Sequence, residues 1–158
     1  MQKITPFLWF NDNAEEAMNF YLSIFKDAKL LNASRYGEGG PGPAGKLMVA
    51  TFSIEGQQFM VLNGGPHYKI TPAVSFMLHC DTQEELDRYW NALTADGGQE
   101  VECGWLTDKF GVSWQIVPTA LSKWMSDPDK EKTGRVFAAL MKMKKLSIPE
   151  LQKAFDGN

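Results

Sequence analysis

The alternation of apolar and polar positions over residues 103–118 predicts two strands joined by a tight turn. Asp108 and Gly111 fall at the first and last positions of a four-residue turn, where an aspartate side chain accepts hydrogen bonds from backbone N–H groups. Because neighbouring side chains of a strand point to opposite faces, the second strand has one apolar face and one face that carries Ser113 and Gln115. A glutamine in such a strand needs a hydrogen-bond partner, which is either backbone or a ligand in a cavity.

Hydrophobic periodicity and turn residues predict the other elements. Strands are expected at 4–10, 30–36, 46–54, 57–62, 73–80 and 99–103, and helices at 14–25 and 83–94. After residue 118 the pattern turns helical, with one turn-rich piece and then helices that begin near residues 128 and 147. Polar caps are predicted at 11–13, at 81–82, at 126–128 and at Ser147, which forms a capping box with Glu150.

Residues 37–45 read GEGGPGPAG, a glycine-rich loop that raises the question of a phosphate-binding site. Phosphate loops lead from a strand into a helix, because the N–H groups at a helix start bind the anion. Here the next segment is the strand predicted at 46–54, so a nucleotide-binding loop is not expected.

The order strand, helix, strands occurs twice in the sequence. Asp12 aligns with Asp81 at the start of the two helices, and the hairpin segment 56–62 matches 111–117. This repeat predicts paired βαβββ modules. Each module would curl its sheet into a half-barrel, with the helix outside and a concave inner face.

Composition narrows the class of protein. With 158 residues, 44% of them hydrophobic, the chain is long and apolar enough to bury a sizeable core. A net charge of -3 and the lack of a basic run argue against nucleic-acid binding, and no apolar stretch approaches the length of a membrane span. Cys80 and Cys103 form no CxxC pair, which favours the reducing cytoplasm.

Several segments together resemble the PhnB-like branch of the glyoxalase, bleomycin-resistance and extradiol-dioxygenase superfamily, also called vicinal oxygen chelate. Relatives in this branch often bear the label 3-demethylubiquinone-9 3-methyltransferase. The segments that carry the resemblance are residues 6–10, 14–17, 20–21, 62–66 and 103–118, with 127–129, 135–136 and 138–141 in the tail.

The resemblance implies an α+β fold of paired βαβββ modules with a C-terminal helical extension. A single glyoxalase-like domain would span residues 1–118, made of modules at about 1–66 and 72–118, and the extension would span 119–158. The family further implies a homodimer that binds a small molecule.

Metal-dependent members of the superfamily hold a divalent ion with His and Glu side chains from defined strands. Carried over to this sequence, those positions fall near Thr5, Met60, Val74 or Ser75, and Gln115. None of these residues is His, Asp, Glu or Cys, and a neutral amide is a poor ligand for such ions. We therefore expect neither a metal ion nor another cofactor.

The residues expected to line a ligand cavity are Trp9, Asn63, Trp105, Trp114 and Gln115, with Ser75 and Ser113 as further orienting groups. The strand aromatics have two interpretations, core packing and a stacking surface for a planar or apolar ligand.

Several functions stay open at the level of the sequence. One is ligand binding, with or without catalysis, and another is a metal-dependent lyase or dioxygenase. A third is a structural protein whose helical tail docks a second subunit. The methyltransferase of the family label would need a site for S-adenosylmethionine, usually a glycine-rich turn between a first strand and helix. This sequence has Asn11–Asp12–Asn13 there instead.

Overall fold

The computed structural model describes residues 2–158, which form two units, the first ending at Ile70 and the second spanning Thr71–Asn158. In the first unit a four-stranded sheet has the order β1-β4-β3-β2, with β1 parallel to β4 and the other pairs antiparallel. Its elements are β1 (Phe7–Phe10), α1 (Ala14–Ile24), β2 (Ala28–Arg35), β3 (Leu47–Ile54) and β4 (Gln57–Asn63).

The second unit repeats this arrangement. Its sheet has the order β5-β8-β7-β6, again with its first and last full strands parallel. The elements are β5 (Ser75–Cys80), α2 (Gln83–Thr94), β6 (Gln99–Glu100), β7 (Trp105–Thr107) and β8 (Ser113–Pro118). Three helices follow: α3 (Leu121–Met125), α4 (Lys130–Leu140) and α5 (Ile148–Asp156). The repeat and the α+β class with C-terminal helices are confirmed.

Each sheet packs one face against its helix. In the first unit Tyr21 of α1 stacks on Phe52, which stacks in turn on Phe59, with ring centroids 6.3 and 5.7 Å apart. In the second unit Leu86 and Trp90 of α2 are fully buried. Burial of each such side chain contributes about 2 kcal/mol to stability. These helical faces are the ones that the apolar periodicity predicts.

The helix caps are only partly as predicted. Thr82 accepts a hydrogen bond from the Glu85 N–H at 3.1 Å, and Ser147 accepts one from the Glu150 N–H at 3.3 Å, as expected. Asn13, by contrast, makes no side-chain cap. The Ala14 N–H donates instead to Oδ1 of Asn63 at 2.8 Å, because the end of β4 lies beside the start of α1.

Several predicted boundaries are wrong. The structure has β1 at Phe7–Phe10, β2 at Ala28–Arg35 and β5 at Ser75–Cys80, where the pattern predicts 4–10, 30–36 and 73–80.

Two further differences lie in the second unit. The strand expected at 99–103 ends at Glu100. Cys103 and Gly104 have φ of +60° and +84°, which excludes them from an extended strand. The cap of α4 is Asp129 rather than a residue of 126–128, and its carboxylate accepts the Glu131 N–H at 2.9 Å.

The helices α3–α5 belong to the same unit as the second sheet. The proposed end of the glyoxalase-like domain at residue 118 therefore stays a prediction. Over the part of the chain that the structure describes, the helices are too short or too polar to cross a bilayer.

Candidate functional site

One face of the second sheet carries a row of uncharged polar side chains. Cross-strand pairing aligns Thr107 with Ser113 and Ser113 with Ser75. Gln99 extends the row, because it pairs with Thr107. A second row places Gln115 between Trp105 and Met77. We call this surface, formed by the residues of the two rows, the polar face.

The helix α2 lies on the opposite side of the sheet. Glu100 pairs with Leu106, so the two share a face, and Trp90 of α2 donates its Nε1–H to Oε1 of Glu100 at 2.7 Å. Side chains alternate along each strand, and Ser113 and Gln115 therefore point away from α2. Gln115 is half-buried.

The partner of Gln115 is a side chain of the neighbouring strand. Nε2 of Gln115 donates to Oγ of Ser75 at 2.9 Å. This contact orients the amide on the polar face between β5 and β7. From the sequence, the expected partner of Gln115 is either backbone or a ligand. The observed partner, Ser75, is neither of these and lies 40 residues away in the chain.

Ser113 is in a different situation from Gln115. Its side chain is buried, with 1% exposed, and its Oγ has no hydrogen-bond partner among residues 2–158. A buried hydroxyl without a partner costs about 1–3 kcal/mol of stability. Such a group invites a partner that is absent from the chain itself.

Trp105 and Trp114 lie on opposite faces of the sheet. Trp105 is half-buried and pairs directly with Gln115, so the structure brings these two predicted residues together. Trp114 is 4% exposed and shares the α2 face with Leu106, and its Nε1–H donates to Oδ2 of Asp108 at 3.0 Å. That is the position of a core residue, so the site described below is built without Trp114.

Asp108 organises the turn as predicted. Its Oδ1 accepts the N–H groups of Phe110 at 2.9 Å and Val112 at 3.1 Å, and the Gly111 N–H donates to the Asp108 carbonyl at 2.9 Å. This turn fixes the start of β8 and with it the position of Ser113.

Trp9 and Asn63, the other two predicted residues, lie in the first unit. Nε1 of Trp9 donates to the Gly65 carbonyl at 2.9 Å, and the ring of Tyr68 meets it edge-on at 5.0 Å. The amide of Asn63 both caps Ala14 and donates to the Leu47 carbonyl at 2.9 Å. Both side chains therefore hold the end of β4 in place, and their role in ligand binding stays a prediction.

Sequence reasoning missed Gln99, Thr107 and Met77 on the polar face. The signal was available, because parallel pairing of the first and last strands of a module places alternate residues of β5 beside Ser113 and Gln115. The sequence does not indicate the register of this pairing, which decides which residues lie side by side.

Within residues 2–158 no group of three or more His, Cys, Asp and Glu side chains is arranged to hold a metal ion. In the second unit the positions that the resemblance assigns to a metal ligand lie near Val74 or Ser75 and near Gln115, and Gln115 bonds to Ser75. Burial raises the pKa of the Cys80 thiol to about 12, so Cys80 is a poor candidate for a nucleophile.

Comparison with known proteins identifies the family to which the chain is similar. A family model described as 3-demethylubiquinone-9 3-methyltransferase matches residues 2–117, so that α3–α5 lie outside the matched range. A comparison with curated proteins found no match.

Solved structures agree with the family match. The PhnB protein from Bacillus cereus is 41% identical, with 75% of this chain and 100% of that chain covered and a TM-score of 0.70. Protein PA1353 from Pseudomonas aeruginosa is 28% identical, with coverage of 75% and 98% and a TM-score of 0.62. The fosfomycin resistance protein FosX from Listeria monocytogenes is 16% identical, with coverage of 80% and 98% and a TM-score of 0.57, a likeness of fold alone.

Proposed function

The chain belongs to the 3-demethylubiquinone-9 3-methyltransferase (PhnB-like) family, and on that premise we propose that it binds a small, uncharged organic ligand on the polar face without a metal ion. The observation that carries the proposal is the buried Oγ of Ser113, which lacks a partner within the described chain. A ligand that donates to or accepts from this hydroxyl would remove the cost of its burial.

The composition of the polar face supports an uncharged ligand. Its two rows consist of Gln99, Thr107, Ser113, Ser75, Trp105, Gln115 and Met77, none of which carries a charge. A charged ligand would lose its hydration there without gaining a counter-ion. Hydroxyl and amide groups instead suit a neutral molecule, and Trp105 with Met77 offers apolar contact to its body.

Ligand binding fits these residues better than the chemistry of the family's description. The turn from β1 to α1 is Asn11–Asp12–Asn13, where a methyltransferase site would use a glycine-rich turn for its methyl donor. Near the positions that the resemblance assigns to metal ligands, Val74, Ser75 and Gln115 offer only an alkyl group, a hydroxyl and an amide, which are poor ligands for divalent transition metals. Our proposal therefore includes neither methyl transfer nor metal-assisted chemistry.

Native mass spectrometry of the full chain, gently purified from cells, tests the proposal. We expect the wild-type protein to retain an organic mass, and we expect Gln115→Leu and Ser113→Ala to lose it. Gln58→Leu is the matched control, because Gln58 is a half-buried strand residue of the first sheet.

Retention of the same organic mass by both polar-face variants would contradict the proposed site. A stoichiometric transition metal would refute the metal-free reading and revive the lyase or dioxygenase class. A bare wild-type protein that a library of uncharged fragments fails to stabilise thermally would refute ligand binding.

The same spectrum reports the oligomeric state. We propose a homodimer, as the family resemblance implies, and a bare monomer would contradict it. We also propose a cytoplasmic location, which suits the two free cysteines, Cys80 and Cys103.

A further inference from the structure

The first unit contains a pocket of about 310 Å³ beside the glycine-rich loop that follows β2. Three segments line it: the turn before α1, the loop with its flanking residues Tyr36 and Lys46, and the end of β4 with the two glycines that follow. The polar residues among those that line it are Asn11, Asp12, Tyr36, Lys46 and Asn63. This volume is at the lower end of the range of about 300–1,000 Å³ that is typical of small-molecule sites.

Backbone hydrogen bonds hold the floor of the pocket. The Gly64 N–H donates to the Phe10 carbonyl at 2.8 Å, and the Gly65 N–H donates to the Asn11 carbonyl at 3.1 Å. The ring of Trp9 lies so close to Gly64 that a Cβ there would come within 2.3 Å of it. The turn before α1 and the end of β4 are thus fastened to each other.

The loop wall is also fastened. Nη1 of Arg35 donates to the Gly45 carbonyl at 3.2 Å, and the Lys46 N–H donates to the Pro43 carbonyl at 3.1 Å. The ring of Tyr36 packs against Gly42, where a Cβ would lie 2.6 Å from the ring. The pocket therefore has a defined shape on both sides.

The charges of the pocket are unpaired. Lys46 and Asp12 both line it, yet within residues 2–158 neither takes part in an ion pair or a side-chain hydrogen bond. Nearby, by contrast, Arg35 and Glu15 form an ion pair with each other. The pocket thus offers one cation and one anion that do not neutralise each other.

We propose that this pocket binds a free α-amino acid, with its carboxylate at Lys46 and its ammonium group at Asp12. A zwitterion is the small molecule that matches one positive and one negative group at the same time. The amide of Asn11 and the hydroxyl of Tyr36 supply neutral hydrogen-bonding groups beside them. This site is separate from the polar face and independent of the function proposed for it.

Titration of the full-length ¹⁵N-labelled protein with free amino acids, one at a time, tests the proposal. The panel comprises glycine, serine, leucine, phenylalanine, glutamate and lysine, each also as its N-acetyl derivative and its methyl ester. We expect at least one free amino acid to shift the amide signals of Gly42, Gly64 and Gly65 in a saturable way. Both the N-acetyl derivative and the ester should bind about tenfold more weakly, since each removes one charge.

Variants assign the charges to the two residues. Lys46→Gln and Asp12→Asn should each weaken the binding about tenfold. Lys29→Gln and Asp27→Asn are the matched controls in the same unit, and Gln115→Leu is the control for the polar face, so all three should leave binding unchanged.

Three outcomes would overturn the proposal. The first is the absence of a saturable shift at the three glycine amides with every free amino acid of the panel. The second is equal binding of the free, acetylated and esterified forms, and the third is binding that Lys46→Gln and Asp12→Asn do not change. None of these outcomes bears on the proposed ligand site on the polar face, which native mass spectrometry tests separately.

Discussion

Ser113 and Gln115 occupy alternate positions on β8 and point to the same face, yet the protein satisfies only one of them. Gln115 has Ser75 as a partner, whereas the buried hydroxyl of Ser113 has none within the described chain. At the scale of single residues, this difference separates a side chain that joins two strands from one whose buried hydroxyl has no partner within the described chain.

The variant Ser113→Ala tests this distinction in the ligand-free protein. Removal of an unpaired buried hydroxyl removes its desolvation cost of about 1–3 kcal/mol, so the free energy of unfolding should stay unchanged or rise by up to that amount. Urea unfolding followed by circular dichroism measures it. A loss of more than about 1 kcal/mol would mean that Oγ has a partner within the fold.

At the scale of elements, the helix α1 depends on a side chain from β4. Asn63 accepts the N–H of Ala14, which is fully buried, and donates to the Leu47 carbonyl of β3. One amide thus joins a helix start to two strands. Asn13, which precedes the helix, makes no side-chain cap of its own.

We predict that Asn63→Ala destabilises the protein by about 2 kcal/mol, because it leaves a buried N–H without an acceptor and removes a donor from a carbonyl. Asn63→Asp keeps the acceptor and should lose less. Chemical denaturation of both variants measures the cost, with Asn32→Ala on exposed β2 as the neutral control. Equal stability of Asn63→Ala and wild type would refute the tertiary cap.

Some element boundaries follow from local signals and others do not. The helix α2 begins after Thr82 and spans Gln83–Thr94, as predicted, because its N-cap is adjacent to it in sequence. The strand predicted at 99–103 does not include Cys103, because Cys103 has a left-handed backbone. A cysteine rarely adopts that conformation, so the residue type gives no sign of it in the sequence.

At the scale of the molecule, the C-terminal extension is tied to α2 of the second unit. Gln83 donates to the Leu146 carbonyl at 3.1 Å and accepts the Ile148 N–H at 2.7 Å. Asp87 pairs with Lys145 at 3.0 Å. Hydrogen bonds from Gln83 and from Lys145 hold the pKa of the Asp87 carboxyl below its ordinary value.

This attachment predicts a small acid-sensitive component of stability. Because the pKa of Asp87 is lower in the folded than in the unfolded chain, its contribution is present at neutral pH and lost as the pH falls below about 4. The pair is partly exposed, so the contribution stays below about 1 kcal/mol.

Unfolding free energies of wild type and Asp87→Asn between pH 6 and pH 3 measure this contribution. The variant should be less stable at pH 6 and should lose less stability on acidification, so that the difference between the two proteins narrows as the pH falls toward 3. A constant difference across this range would refute the role of the carboxylate charge, and Asp96→Asn is the exposed control.

The sequence by itself determined the paired modules, most helix faces and strands, the turn at Asp108 and the family. Those features follow from periodicity, from turn chemistry within a few residues, and from motifs that span most of the chain. Only the tertiary structure decided which polar side chains meet.

Asn63 reaches Ala14 across 49 positions, and Gln115 reaches Ser75 across 40. Ser113 meets no partner within the described chain at all. Strand register and helix packing set these contacts, and both depend on residues too distant in sequence for local patterns to reveal.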